Sequence, residues 1–197
     1  MTARRLIPFC LATASACACT PVKQGGQEDL APFAHDRLAD DVKTTTFVDF
    51  GSKVQLVGYD ISPQRTAKPG DAIHLTLYWK RGGPLDPGWG LFTHLEDDQG
   101  RQIGNFDREG SFRSALAGKP EGLSRLELGK IYTDEQAVSV PKADVVSPNI
   151  TLVVGVWNEA VRLPIVSGPT DGHDAAILSH FATGVPRRAV AVANDKK

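Results

Sequence analysis

Beyond residue 19 the chain contains no cysteine. Cys10, Cys17 and Cys19 all lie at its start, so the rest has no disulfide and no thiolate metal ligand. Core packing alone must hold the domain together. Charge of one sign is also scarce: 22 basic and 23 acidic residues give a formal net charge of −1, and no long run of either sign occurs. That balance excludes nucleic acid as a partner, because phosphate counterions are displaced only by a clustered basic face. No apolar stretch reaches the roughly 20 residues needed to span a membrane as a helix. Helix-period patterning of useful length is missing from the central region. The GxSxG, P-loop and GxGxxG patterns are absent, and no HxH or HxxxH pair occurs. The sequence therefore points to a non-enzymatic chain without a cofactor or a bound metal.

What is present starts with a leader. In "MTARRLIPFCLATASACACT", Arg4 and Arg5 precede a short apolar stretch and then small residues. This is the layout of a secretory signal peptide, here residues 1–19. "ASAC", Ala14 to Cys17, resembles a bacterial lipobox, with Ala14 where leucine is usual. Cys17 is then the lipid-modified residue and Cys19 the alternative. Acylation would anchor the chain to a membrane of the cell envelope. Cleavage without lipid would release a soluble periplasmic or secreted protein. Residues 20–44, with Gly25, Gly26 and many charges, read as a flexible tether that includes a solvated His35. Residues 185–197 read as a disordered or loosely docked tail.

Residues 45–184 read as one all-β domain, an antiparallel β-sandwich of immunoglobulin-like or jelly-roll-like form with about 8–9 strands. The expected strands are 46–50, 53–61, 71–81, 90–97, 101–107, 133–140, 149–158, 160–166 and 175–183. In "DAIHLTLYWKR", Ile73, Leu75, Leu77 and Trp79 share one face, while His74, Thr76, Tyr78 and Lys80 share the other. Period two is the mark of a strand with one buried face. Turns are expected at Pro69-Gly70, at "EDDQGR" and at Asn158-Glu159. The segment 110–130 is long, polar and broken by glycine. It reads as a crossing loop with one helical turn, and it is the irregular surface best suited to a binding edge.

The stretch "VQLVGYDIS…KPGDAIHLTLYWKRGGPLDPGWGLFTHLEDDQGRQIGNFDRE" resembles the C-terminal extracytoplasmic β-sandwich of bacterial protein-mannosyltransferase-type membrane glycosyltransferases. The elements that carry the resemblance are Gly58-Tyr59, Pro69-Gly70-Asp71, Tyr78-Trp79, Phe92 with His94, Asp98 with Gly100, and Asp107. "LELGKIYTDEQAVSVP" and "LVVGVWN…RLPI" extend it to about Gly184. It implies a sandwich in an extracytoplasmic setting, serving as a carbohydrate-binding or scaffolding module. Catalysis in those enzymes belongs to a multi-helix membrane region, so no glycosyl-transfer activity is implied here.

Three sets of residues carry candidate chemistry. His94 and Asp107 lie on the two arms of the expected hairpin. They read as a structural polar pair in which Asp107 fixes the imidazole tautomer. The sharper alternative adds Glu96 and His74 to give an acid–base or metal site, as in an envelope-glycan hydrolase. Among the aromatics, Trp79 is in phase with the core, whereas Trp89, Trp157 and Tyr78 are candidates for stacking on a sugar or another ligand. "GPTDGHDAA" superficially resembles a calcium loop but lacks EF-hand spacing, and reads as a solvated turn. The expected partners are a membrane, through the lipid anchor, and a glycan or an envelope protein.

Overall fold

The computed structural model describes residues 29–142, 144–159 and 161–186. Cys17 and Cys19, the leader and most of the tail lie outside the described residues. In chain order the strands are β1 (Ala34–His35), β2 (Thr44–Phe50), β3 (Val54–Ser62), β4 (Ala72–Arg81), β5 (Gly90–Glu96) and β6 (Gln102–Asn105). A short helix α1 (Ser111–Leu116) and a 3-10 turn (Gly122–Arg125) follow. The remaining strands are β7 (Ile131–Ser139), β8 (Asn149–Asn158), β9 (Val161–Arg162), β10 (Ile165–Ser167) and β11 (Ala176–Ala182).

The strands form an antiparallel β-sandwich. One sheet has the order β1-β7-β4-β3-β2-β10; the other runs β11-β8-β5-β6, with β9 added to β8. Between them lies the core that the alternation predicts. Ile73, Leu75, Leu77 and Trp79 of β4 face Ile150, Leu152, Val154 and Val156 of β8, and none is more than 1% exposed. Burying such side chains is worth about 1.5–3 kcal/mol each, which replaces the missing disulfides.

The turns also follow from the sequence. Gly70 adopts φ +89° and Gly100 φ +72°, the left-handed region that glycine enters without strain. Asp97 closes the β5–β6 hairpin: its Oδ1 accepts from the backbone N–H groups of Gln99 and Arg101, and its Oδ2 from Arg101 Nε. These bonds account for the acidic look of "EDDQGR" without any chemistry.

Two expectations need correction. Residues 29–43 are not a free tether. Leu30 is fully buried in the core, Phe33 packs edge-on against Phe112 at 5.6 Å, and β1 pairs with β7. Apolar residues at 30 and 33 are enough to seat the segment, and ion pairs Arg125–Asp29 and Lys130–Asp36 hold its flanks. The segment from Leu30 onward is therefore part of the folded domain, although His35 does remain exposed. The strand expected over 160–166 is two short strands in different sheets: β9 pairs with β8 and β10 with β2. The break falls at Leu163-Pro164. Proline has no N–H for the ladder, Leu163 turns into the core, and Gly51 N–H bonds to the Pro164 carbonyl. This split and β1 raise the strand number to eleven among the described residues.

Candidate functional site

The pairing of β5 with β8 sets Gly90 opposite Trp157. Trp89 is one residue earlier, so two tryptophans 68 positions apart in sequence meet at one end of this sheet. The segment 110–130 then folds over that end. Leu123 N–H donates to the Trp89 carbonyl at 2.8 Å, which docks the 3-10 turn on the tryptophan backbone. The approach is so close that a Cβ on Gly122 would stand 2.2 Å from the Trp89 carbonyl oxygen, and Gly122 has φ +53°. The result is a groove of about 440 Å³. Trp89 and Trp157 line it, both half-buried, together with Leu116, Gly118 and the charged side chains of Asp107, Arg108 and Lys119. Its size is within the range of small-ligand sites.

Arg113 of α1 also lines the groove but is anchored inward. Its Nε lies 2.9 Å from Asp134 Oδ2, and Nη2 donates to Thr93 Oγ1 at 2.8 Å. The side chains of Arg113 and Asp134 are 4% and 0% exposed. Burial pushes the Asp134 carboxyl up, against the pull of the Arg113 charge. Sequence reasoning missed this pair. The available signal was Asp134 itself, an acid in phase with the buried Tyr132 and Val138 of β7. A carboxylate at an inward position requires a buried cation or donor.

His94 and Asp107 do come together. The register sets His94 opposite Asn105, so Asp107 lies just past the end of β6. The His94 Nε2 to Asp107 Oδ1 distance is 3.1 Å, with side chains 9% and 13% exposed. Thr93 N–H donates to Asp107 Oδ1, and Asn105 Nδ2 donates to Oδ2. Burial works against ionisation of Asp107 but is outweighed by the hydrogen bonds from His94, Thr93 and Asn105, so its carboxyl is held below the usual value. An Nε2–H tautomer of His94 satisfies this arrangement, and Nδ1 is buried without a partner among the described residues. The ring stacks on Phe92 at 4.8 Å. Phe92 in turn needs the bare backbone of Gly155, where a Cβ would lie 2.4 Å from the ring, and it carries Arg162 on its ring at 4.5 Å.

The remaining candidates lie elsewhere. Glu96 opens into a different recess with Gln102, Arg162, Asp171 and His173. Burial and the Asp171 carboxylate raise its pKa, while Arg162 and His94 pull it down less strongly. His74 is on the other sheet, opposite Ala137. Glu96 and His74 therefore do not join His94 and Asp107 in one site. Among the described residues, no group of three or more His, Asp or Glu is arranged to hold a metal ion. Tyr78 also stands on the other sheet, where its hydroxyl donates to Asp60 Oδ2, away from the two tryptophans. Trp79 is fully buried. The Asp171 carboxylate accepts from the N–H groups of His173 and Ala175, so the "GPTDGHDAA" segment is a turn satisfied by its own acid.

No protein-family model matches the chain. A comparison with curated proteins gives no significant match either.

Proposed function

We propose that the chain is an exported, lipid-anchored, non-catalytic β-sandwich protein of the cell envelope. It acts as an accessory binding module, taking carbohydrate in the groove of Trp89 and Trp157. The observation that carries this reading is the meeting of these two half-buried tryptophans in one concave, glycine-lined site. An indole face packs well on the apolar face of a sugar ring, and its N–H remains available to a hydroxyl. The resemblance to extracytoplasmic glycosyltransferase sandwiches points the same way, as do the leader and the Cys17 or Cys19 lipobox.

With Cys17 as the anchor, the chain from 18 to 28 reaches at most roughly 40 Å, at about 3.3–3.6 Å per residue. The groove would then work close to the membrane surface, where envelope glycans or an envelope protein are within reach. Mass spectrometry of the mature N-terminus tests the address: a diacylglyceryl cysteine at 17 or 19 is expected, and an unmodified terminus contradicts it. A glycan array tests the binding role: wild-type protein should bind, and Trp89→Ala should not.

One observation favours a second reading, a glycan hydrolase. Asp107 lines the same groove and contacts His94. Yet both Asp107 oxygens accept bonds from the domain itself, and the neighbouring ring is nearly sealed. A structural role accounts for these bonds better. Retained glycan cleavage by the wild type that His94→Ala abolishes, with folding intact, would reverse that preference.

A further inference from the structure

The groove has a charge of its own, and this narrows its ligand. Its ionisable lining is Asp107, Arg108, Arg113 and Lys119. Two of these are committed to the fold. Arg113 is neutralised by Asp134, and Asp107 is saturated by Thr93, Asn105 and His94. The side chains of Arg108 and Lys119 are exposed and make no hydrogen bond or ion pair among the described residues. Some cations of the domain have carboxylate partners, among them Arg37, Arg101, Arg125 and Lys130, and others, Lys68 and Lys142 among them, have none among the described residues. Formal charge is nearly balanced over the whole chain. What sets Arg108 and Lys119 apart is their place: two cations without a carboxylate partner line one concavity with two tryptophans.

Resting on the saccharide reading above, we propose that the groove selects an acidic saccharide, one that carries a uronate carboxylate or a phosphate ester. A sugar ring lies on Trp89 or Trp157, and the anionic group is held by Arg108 and Lys119. Arginine offers a planar fork that matches carboxylate and phosphate oxygens, and lysine supplies a compact point charge. The concave form of the site, with both indoles half-buried, favours a soluble or glycan-borne anion over a flat lipid surface.

The test uses the full mature chain and a panel that pairs each acidic saccharide with its neutral form. Oligogalacturonate is set beside its methyl ester, and sugar phosphates beside the dephosphorylated sugars. The acidic member should bind at least about tenfold more tightly, a difference of about 1.4 kcal/mol. That preference should shrink as salt rises from about 50 to about 300 mM, as expected for exposed charges. The double variant Arg108→Ala/Lys119→Ala should lose the preference, retain dependence on Trp89, and melt at the wild-type temperature. Equal binding of acidic and neutral members overturns the proposal and leaves the tryptophan groove standing. An undiminished preference in the double variant also overturns it. No binding by any member overturns this proposal and the saccharide reading together. Equal binding to sugar-free phosphatidylglycerol vesicles, in competition with the saccharide, would make the site a lipid surface instead.

Discussion

Arg113 and Asp134 form an ion pair sealed inside the sandwich, Nε to Oδ2 at 2.9 Å, where α1 bridges the two sheets. The same arginine lines the tryptophan groove, so the pair joins the binding edge to the core. Removing one partner leaves a buried charge without compensation. Arg113→Ala and Asp134→Ala should each cost about 3–5 kcal/mol in chemical denaturation. Arg113→Met/Asp134→Leu, which removes both charges, should recover much of that loss. A loss in the double variant equal to the sum of the two single losses would show that the pair is not coupled.

Gly122 fixes the 3-10 turn against Trp89. Gly122→Ala would force its Cβ against the Trp89 carbonyl oxygen and strain a backbone at positive φ. The expected outcome is a loss of about 1–3 kcal/mol and a changed tryptophan emission, with the far-ultraviolet circular dichroism of the sandwich retained. An unaltered spectrum and melting temperature would mean that the turn does not pack on Trp89 in this way.

Asp107 gives a pH signature. Its carboxyl is held below the ordinary value of 3.8, so the folded chain binds this proton less readily than the unfolded chain. The stability it contributes is complete above the unfolded value and is lost as pH falls through the lowered folded value. Asp107→Asn should therefore flatten the acid limb of melting temperature against pH below about pH 4. An acid limb identical to wild type would remove Asp107 from that account.

Glu96 has the opposite sign. Burial and Asp171 raise its carboxyl above the ordinary 4.5, so ionisation costs folded stability. Stability falls as pH rises through the folded value. Glu96→Gln should raise the melting temperature at about pH 7 and give no gain below about pH 4. A loss at neutral pH would instead mean that ionised Glu96 is held by Arg162.

The strands were legible because one face of each is buried. Ile73 to Trp79 could be read at period two, and so could Ile150 to Val156. His94 and Asp107 were legible as a pair because a hairpin turn fixes their register locally. The groove was legible only in parts. Trp89, Trp157 and the 110–130 segment each stood out, but their convergence depends on β5 pairing with β8, which local sequence does not encode. For the same reason the sequence alone groups Tyr78 with Trp89 and Trp157, although it stands on the other sheet. Residues 29–43 resembled a linker because few of them reach the core, Leu30 fully and Phe33 and Ala34 in part, too few to form a periodic pattern. Pro164 was the visible sign that the strand expected over 160–166 would break.

The central claim is that saccharide binds on Trp89 and Trp157. The chain has three tryptophans, and the third, Trp79, is sealed in the core. The direct measurement is a tryptophan-fluorescence titration with a saccharide from the panel. The wild type should show a saturable change in emission, and Trp89→Ala/Trp157→Ala, left with Trp79, should show none. Saccharide binding detected by calorimetry without any change in wild-type emission, or with full affinity in the double variant, would contradict it.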